Sequence, residues 1–458
     1  MKKADAAIIG FGKGGKTLAG ALAAAGQSVI LIERSEKMYG GTCINVACIP
    51  SKSLHHSAGL SAAQGGSFAE KAARYAAAID EKERLTGMLR DKNYHKLADA
   101  ANVTVLDGEA AFLDATHLAV STPEGGEEVE AQKIFINTGA RPFVPPIPGL
   151  QESEYVYLSE GMLELRELPR RMVIIGGGYI GVEFASIYAN FGSQVTMVQD
   201  GEAFLPREDA EVAAEVLKSL ESRGVRVLRS ARVEAVEDRA GQALVTVAFA
   251  GTREQLPADA VLVATGRRPN VAALNLQAAG VELTERGAVK TDERMRTTAP
   301  NIWAMGDVAG GLQFTYISLD DFRIVKSQLL GDGSRTTQNR GAVPYSVFLD
   351  PPFSRVGLTE AEARAAGYRV RIARLTAGAI PKAQVLQKPV GLLKAVIDAG
   401  TGHILGAHLF CEESHELINL LKLAVDAKIP YTVLRDNIYT HPTMSEALND
   451  LFAAVTDA

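Results

Sequence analysis

One glycine pattern occurs twice in this 458-residue chain and constrains its fold more than any other feature. Each copy has the form Gly-x-Gly-x-x-Gly, follows a short apolar run and precedes a stretch of helical composition. The glycines are Gly10, Gly12 and Gly15 in the first copy and Gly176, Gly178 and Gly181 in the second. A strand, a glycine-rich turn and a helix in this order are typical of a dinucleotide-binding fold. We therefore predict two such folds in one α/β protein.

The residues after each copy support this prediction. In the first fold the next apolar run, residues 29–32, ends at Glu33, which can accept hydrogen bonds from a ribose. In the second, residues 195–198 are followed by Gln199. The glycines let the backbone approach a pyrophosphate, and the helix N-terminus offers unpaired N–H groups. Two bound nucleotides are thus expected, so that one can pass electrons to the other.

Composition narrows the class of protein. The net charge is −6 with no long basic run, which argues against a nucleic-acid partner. No apolar run approaches the length needed to cross a membrane. Met1-Lys2-Lys3 resembles the start of a signal peptide, but the apolar run after it is too short and leads straight into the glycine turn. Three cysteines without an export signal suggest a reducing cytoplasm.

Two of the cysteines, Cys43 and Cys48, lie in one segment, residues 40–52. In an undistorted helix their Cα atoms would be ~8.6 Å apart, whereas a disulfide needs roughly 4.4–6.8 Å. If they bond, either Cys43 sits in irregular backbone before the helix or the helix is distorted, and Gly40 and Gly41 would ease both. The alternative is two small buried residues that never meet. Cys411 is interpreted as a buried, small apolar residue.

The whole chain resembles the flavoprotein disulfide reductases. Residues 40–52 match the GGTCxNxGCxPSK pattern of that family except at Ala47, where Gly is usual. Residues 264–270 resemble the exit from its nicotinamide domain, residues 302–307 its second flavin-binding motif, and residues 441–446 its HPTxSE motif. The resemblance implies FAD, NAD(P)H and a homodimer.

The implied fold is glutathione reductase-like: two Rossmann-like domains and a C-terminal α+β dimerisation domain. The prolines at 142, 145, 146 and 148 indicate a domain boundary, because so dense a cluster fits neither helix nor central strand. We predict an interrupted FAD-binding domain of residues 1–145 and 270–340, an NAD(P)-binding domain of residues 146–269, and an interface domain of residues 341–458.

The resemblance also implies residue roles. Cys48 would face the flavin and Cys43 would attack the oxidised substrate. His441, from the partner subunit, would move the proton and Glu446 would orient it. Lys52 would pair with Glu183, Tyr179 would shield the flavin until nicotinamide displaces it, and Asp307 would contact the ribityl chain. The complete set of predicted cofactor-binding residues is Gly10, Gly12, Gly15, Glu33, Gly41, Thr42, Lys52, Thr138, Gly139, Asp307, Gly176, Gly178, Tyr179, Gly181, Glu183, Gln199 and Gly266. No metal ligand is predicted; His55 and His56 are interpreted as surface residues at a helix end.

Within the family, residues 204–209, 306–321 and 439–448 look most like the RclA-type branch of reactive-chlorine resistance. That branch is associated with reduction of hypothiocyanous acid and copper(II), so a small-molecule oxidant is expected. Dihydrolipoyl dehydrogenase is the alternative, because it shares every motif of the electron path. Mercuric reductase and the large thioredoxin reductases fit less well, since the chain has no C-terminal cysteine pair, and both cysteines argue against a soluble transhydrogenase. A flavin-bound sensor or metal-binding protein without turnover is a further alternative.

Nicotinamide choice is predicted from Gln199. NADH users of the family usually have Glu at this position and NADPH users Arg. Gln199 can donate or accept a hydrogen bond, and the nearby acids Asp200 and Glu202 disfavour a phosphate dianion. We therefore predict a modest preference for NADH.

Overall fold

The structure is a computed structural model, and it describes residues 1–457. The strands of this part of the chain are β1 (Lys2–Ile9), β2 (Val29–Glu33), β3 (Val103–Asp107), β4 (Glu109–Phe112), β5 (His117–Thr122), β6 (Gly125–Ile136), β7 (Ala140–Pro142), β8 (Val156–Tyr157), β9 (Arg171–Ile175), β10 (Gln194–Val198), β11 (Arg226–Leu228), β12 (Arg232–Arg239), β13 (Gln242–Phe249), β14 (Thr252–Ala258), β15 (Ala260–Val263), β16 (Arg267–Pro269), β17 (Ile302–Ala304), β18 (Tyr345–Val347), β19 (Phe353–Gly357), β20 (Val370–Thr376), β21 (Leu392–Asp398), β22 (Ile404–Phe410) and β23 (Thr456–Asp457).

The α-helices of the same residues are α1 (Lys13–Ala24), α2 (Thr42–Asn45), α3 (Cys48–Gln64), α4 (Phe68–Ala98), α5 (Ser159–Glu164), α6 (Tyr179–Phe191), α7 (Ala210–Ser222), α8 (Thr315–Leu330), α9 (Glu360–Ala365), α10 (Pro381–Val385), α11 (Ser414–Asp426), α12 (Tyr431–Arg435) and α13 (Ala447–Ala453). Among them, no helix has the length and apolar character required to span a membrane.

The chain divides into two compact units. The first comprises residues 1–53, 77–143 and 266–340, and the second comprises residues 54–76, 144–265 and 341–458. The unit boundaries near 143 and 266 lie close to the domain boundaries predicted at 145 and 270, whereas residues 54–76 of α3 and α4 group with the second unit. The bounds of the three predicted domains stay a prediction.

The first unit is built on a seven-stranded sheet in the order β3-β2-β1-β6-β5-β4, with β17 also paired to β6. Strands β1, β2, β3, β6 and β17 pair in parallel, and β4 and β5 join as an antiparallel hairpin. Alternate residues of β1 face opposite sides. Ala6 and Ile8 pack in the core that includes α1 and α8, while Ala7 and Ile9 pack in the opposite core. The sheet therefore presents the carboxyl ends of its parallel strands at one edge, where ligands of such folds bind.

The second unit repeats this arrangement in a five-stranded sheet, β11-β10-β9-β15-β8. Its paired strands run parallel, and α6 connects β9 to β10. The antiparallel sheet β12-β13-β14 packs on it, so that Val173 and Ile175 share a core with Val245 and Val247.

Residues 345–457 of the second unit contain a six-stranded antiparallel sheet, β18-β19-β22-β21-β20-β23. Leu417 and Leu421 of α11 and Leu451 of α13 pack against its strands in one buried core. Met444, in the segment between α12 and α13 that carries His441, packs in the same core.

Candidate functional site

The first glycine turn is tightly packed by Asn137, which follows β6. The Asn137 Oδ1 atom accepts a hydrogen bond from the Gly15 N–H at 2.8 Å, and its Nδ2 donates to the Met305 carbonyl at 2.7 Å. A Cβ atom on Gly12 would lie 2.6 Å from Asn137 Oδ1, so only glycine fits there. Asn137 is not among the residues predicted from the sequence, although its position directly after a buried strand and beside Thr138 was a usable signal.

Acidic side chains lie at the ends of two strands of this sheet. Glu33 ends β2, is buried, and accepts a hydrogen bond from the Phe11 N–H at 3.0 Å through Oε2. Its burial raises the pKa of the carboxyl group. Asp307 follows β17, and desolvation likewise raises its pKa, opposed by the charge of Arg267. Both carboxyl groups are placed where hydroxyl groups of a nucleotide could satisfy them.

The residues at this edge fit a dinucleotide such as FAD. Gly139 has a φ of 70°, and a Cβ atom there would meet no atom within 4 Å, so the loop leaves open space beside the sheet. Thr138 closes the same loop by donating from Oγ1 to the Asn270 carbonyl at 2.8 Å, and Gly266 accepts from the Phe143 N–H at 2.9 Å. Glycine turn, helix N-terminus and buried acids together form the donor and acceptor set that a pyrophosphate and a ribose require.

The cysteine segment is an interrupted helix. Cys43 lies in α2, Cys48 begins α3, and Val46 between them has the non-helical φ of −139°. Gly40 and Gly41 enter the segment at φ values of 92° and 85°. A Cβ atom on Gly41 would lie 2.6 Å from Gly12 Cα, so the cysteine segment packs directly on the first glycine turn. The helix is thus interrupted between the two cysteines, and the geometry expected of a Cys43–Cys48 bond stays a prediction.

The two cysteine side chains meet through a hydrogen bond. That bond from Cys48 is the main cause that lowers the pKa of Cys43 to about 6. A hydrogen bond from Thr315 and the charges of Lys16 and Lys52 also lower the pKa, against the opposing effect of burial. Cys43 is therefore a thiolate at neutral pH, the form that reacts as a nucleophile. The alternative that the two residues never meet is wrong.

Two residues near Cys43 were not singled out from the sequence. Thr315 is the first residue of α8. Lys16, on α1, donates from Nζ to the Gly40 carbonyl at 3.0 Å and to Asn93 Oδ1 at 2.7 Å. Desolvation lowers the pKa of Lys16 to about 8. Only the fold brings these helices to the cysteine segment, because they lie far apart along the chain.

Cys411 differs from Cys43 in every respect that controls reactivity. It is fully buried in the core of the six-stranded sheet, and burial raises the pKa of its thiol. The interpretation of Cys411 as a small apolar residue agrees with this environment.

His55 and His56 lie inside α3 and not at its end; His56 is exposed, while the His55 ring contacts Phe348 with centroids 6.4 Å apart. Among the described residues, no cluster of three or more His, Cys, Asp or Glu side chains is suited to a metal ion.

The second glycine turn has the same construction as the first. Gly176 has a φ of 114°, a Cβ atom on Gly181 would collide with the Gly176 carbonyl, and a Cβ atom on Gly178 would meet nothing within 4 Å. The open side at Gly178 is the side from which a pyrophosphate can approach the helix N-terminus.

Gln199 lies at the end of β10 with both amide hydrogens used. Its Nε2 donates to the Gly201 carbonyl at 2.8 Å and to the Ala203 carbonyl at 3.0 Å. The expectation that Gln199 can donate or accept is therefore wrong in part, because only Oε1 remains to accept. A cavity of about 700 Å³ opens nearby and is lined by Asp200, Arg232 and Arg253, among others.

Tyr179 and Glu183 lie on the first two turns of α6. The Tyr179 hydroxyl donates to the carboxylate of Glu208, and the Glu183 carboxylate accepts from the Phe348 N–H at 2.8 Å. Lys52 belongs to the first compact unit and Glu183 to the second, and their pairing stays a prediction.

His441 and Glu446 form a dyad. The His441 Nδ1 atom lies 2.8 Å from Glu446 Oε2, and Thr443 exchanges hydrogen bonds with Glu446 in the manner of a capping box. The His441 side chain is 70% exposed, whereas that of Glu446 is 19% exposed. Glu446 thus holds Nδ1 of the imidazole, and Nε2 stays accessible to a substrate.

Comparisons with known proteins identify the family. The model of the pyridine nucleotide-disulphide oxidoreductases matches residues 4–321, and that of their dimerisation domain matches residues 343–452. The chain is 51% identical over 455 residues to the probable pyridine nucleotide-disulfide oxidoreductase RclA of Escherichia coli, covering 99% of this chain and 100% of that protein. It is 36% identical over 459 residues to the dihydrolipoyl dehydrogenase of Mycobacterium bovis, covering 99% and 98%.

A solved structure agrees with these matches. The Cu(II) complex of the HOCl-induced flavoprotein disulfide reductase RclA from Escherichia coli superposes with a TM-score of 0.93 at 51% identity and covers 99% of both chains. The predicted fold, with two Rossmann-like domains and a dimerisation domain, is confirmed. The chain belongs to the pyridine nucleotide-disulphide oxidoreductase family.

Proposed function

We propose that this protein is an FAD-dependent reductase that takes an electron pair from NAD(P)H and delivers it, through Cys43 and Cys48, to a small oxidant. The observation that carries the proposal is the hydrogen-bonded cysteine pair packed on the first glycine turn, in which Cys43 has a pKa of about 6. Reactive cysteines are found where nearby positive charges lower the thiol pKa, and Lys16 and Lys52 are among the causes that lower the pKa of Cys43.

The proposed oxidant is hypothiocyanous acid or a related reactive chlorine or sulfur species. The support is the similarity to RclA, described as HOCl-induced, together with the sequence segments shared with that branch. Because that relative was also solved as a Cu(II) complex, copper(II) is included as a candidate substrate.

The oxidative half of the reaction follows from the two thiols. The Cys43 thiolate attacks the sulfur of hypothiocyanous acid, the S–O bond breaks, and the departing hydroxide takes a proton to leave as water. Cys48, as its thiolate, then attacks the Cys43 sulfur, forms the disulfide and expels thiocyanate. The two thiols lose two electrons and the oxidant gains two.

The cofactor side is assigned to residues that fit it. Gly10, Gly12 and Gly15 would hold the FAD pyrophosphate, Glu33 a ribose and Asp307 the ribityl chain. When bound, FAD would accept a hydride from the nicotinamide and pass the electron pair on to the disulfide. The chain's part is to hold Cys48 at the start of α3 and to keep Cys43 as a thiolate.

His441 is proposed to provide the proton for the leaving group, with Glu446 holding the imidazole in one tautomer. We propose that it acts on the cysteines of the partner subunit in a homodimer, a state that the match to the dimerisation domain supports. NADH is the proposed preferred donor, because Gln199 offers only an acceptor and Asp200 repels a phosphate. A reducing cytoplasm, which keeps thiols reduced, is the proposed location.

A panel of oxidants tests the proposal. Steady-state NADH oxidation is measured with hypothiocyanous acid, lipoamide, copper(II) and mercury(II), for the wild type and for Cys43→Ser. We expect kcat/KM for hypothiocyanous acid to exceed that for lipoamide at least about tenfold and to vanish in the variant. A reversed order would favour dihydrolipoyl dehydrogenase, which the 36% identity makes the second candidate. Absence of turnover with every oxidant would favour a flavin-bound sensor.

A further inference from the structure

We propose that Glu208 is a positioning residue that holds Tyr179 in place by a hydrogen bond, so that this bond must break before the nicotinamide can enter. The inference rests on the proposed function, because it assumes that the second glycine turn binds NADH. It extends that function to a residue in the loop between β10 and α7.

The geometry is a carboxylate shared by two tyrosines. The hydroxyls of Tyr179 and Tyr345 both donate to Glu208 Oε1, the latter at 2.7 Å. The two hydroxyl oxygens lie 3.3 Å apart, and the two ring centroids lie 5.7 Å apart. Tyr179 thus meets a charged acceptor and a second ring at once, which restricts its side chain to one orientation.

The carboxylate itself is held rigidly. The Glu208 side chain is 1% exposed, and its Oε2 lies 3.6 Å from Nη1 of Arg355. The next residue, Asp209, caps α7 and forms an ion pair with the buried Lys394 at 2.9 Å. A buried charge that is paired and hydrogen-bonded is costly to disturb, so Glu208 is a fixed point and Tyr179 the movable partner.

The position of Tyr179 makes this bond relevant to nicotinamide binding. Tyr179 is the first residue of α6, directly after Gly178, whose open side faces the expected path of the pyrophosphate. Ligands of this fold enter the crevice beyond the carboxyl ends of the strands, next to this helix terminus. A ring fixed there must rotate away, and rotation breaks a hydrogen bond to a charged acceptor, which is stronger than one to a neutral group.

The bond therefore lowers the apparent affinity for the dinucleotide. When only a fraction of the molecules is competent to bind, the apparent dissociation constant rises by the inverse of that fraction. Weakening the bond should lower both the Kd for NAD⁺ and the KM for NADH about three- to tenfold.

The test is a double-mutant cycle of Glu208→Gln and Tyr179→Phe in the flavin-loaded enzyme. Glu208→Gln keeps the shape but removes the charge, and Tyr179→Phe keeps the ring but removes the donor. Calorimetry with NAD⁺ and the oxidised enzyme gives Kd without turnover, rapid mixing with NADH follows flavin reduction, and thermal unfolding reports stability. Tyr75→Phe is the matched control, because its buried hydroxyl donates to the Leu165 carbonyl at 2.7 Å and lies 3.0 Å from that of Tyr188.

We expect each single variant to lower the Kd for NAD⁺, and the double variant to have the same Kd as Tyr179→Phe. The control variant should lower the Tm without changing the Kd. Unchanged or raised Kd values in both single variants would overturn the inference. The inference would also be overturned if Glu208→Gln changed the Kd equally with and without the Tyr179 hydroxyl, because Glu208 would then not act through Tyr179. Should Glu208→Gln not fold, Tyr179→Phe still decides by its Kd alone. If the wild type bound no NAD⁺ and its flavin were not reduced by NADH, the proposed function itself would fail.

Discussion

The Nδ1 atom of His441 lies 2.8 Å from Oε2 of Glu446, five residues further along the chain, across the turn between α12 and α13. Glu446 also accepts a hydrogen bond from the Thr443 N–H at 3.3 Å, so its carboxylate is anchored independently of the imidazole. A dyad built in this way orients the ring and fixes which nitrogen faces the carboxylate.

Replacement of His441 by Ala should reduce kcat/KM for a disulfide substrate by about 10²–10⁴-fold, the usual contribution of general acid–base catalysis. A departing thiolate is basic and needs a proton, which is the role proposed for His441. The matched control is His117→Ala, because His117 Nδ1 lies 2.9 Å from Asp114 in a similar dyad of the first unit. Comparable losses in both variants would show a general effect on folding.

Alkylation of Cys43 in the reduced enzyme should follow a titration with a midpoint near pH 6, since its pKa is lowered from 9.0 to about 6. The sign follows from the lowered value: the thiolate is present above this midpoint and is lost as the pH falls through it. Thr315→Val removes one hydrogen bond to the thiolate and should move the midpoint upward. Mass spectrometry after timed iodoacetamide treatment measures both, with the buried Cys411 as an internal site that stays unmodified. A midpoint near 9 would contradict the role assigned to the Cys43 environment.

Cys43→Ser should abolish turnover with every oxidant while leaving flavin reduction by NADH intact, because hydride transfer precedes the thiol chemistry. Stopped-flow absorbance measures the reductive step and steady-state assays measure turnover. Cys411→Ser is the control, expected to retain turnover. Near-full reduction of hypothiocyanous acid by Cys43→Ser would mean that another group attacks the oxidant.

The kcat/KM for NADH should exceed that for NADPH by about one to two powers of ten, as expected when a neutral hydrogen-bonding group replaces a charged one. The Gln199 amide hydrogens are used by the Gly201 and Ala203 carbonyls, so the side chain cannot donate to a phosphate. Asp200→Asn removes the nearest repulsive charge and should reduce the ratio about threefold. A ratio below one in the wild type would indicate that Arg232 or Arg253, at the cavity beside Asp200, binds the phosphate.

Much of this protein was predictable from short-range patterns. The two glycine turns and the acid at Glu33 lie in segments whose local spacing carries their meaning, because strand, turn and helix are formed by neighbours in the chain. The His441–Glu446 dyad was predictable for the same reason, because the two residues lie only five positions apart in one short segment. The pairing of Cys43 with Cys48 was predicted from the resemblance of residues 40–52 to a family motif. The membership of a family followed from these motifs, and the comparisons confirmed it.

Contacts between distant segments were decided only by the tertiary structure. Asn137 accepts a hydrogen bond from a glycine turn more than 120 residues earlier in the chain, and Thr315 of α8 forms a hydrogen bond with Cys43. Glu208, in the loop between β10 and α7, accepts hydrogen bonds from Tyr179 of α6 and Tyr345 of β18. At Gln199 the tertiary structure restricts what the residue type allows. A glutamine side chain can donate hydrogen bonds to a ligand, but here both amide hydrogens already bind carbonyl groups of the following loop. Local sequence determines backbone conformation and which groups are available, whereas the pairing of those groups depends on which helices and strands pack together, and that is set by burial over the whole chain.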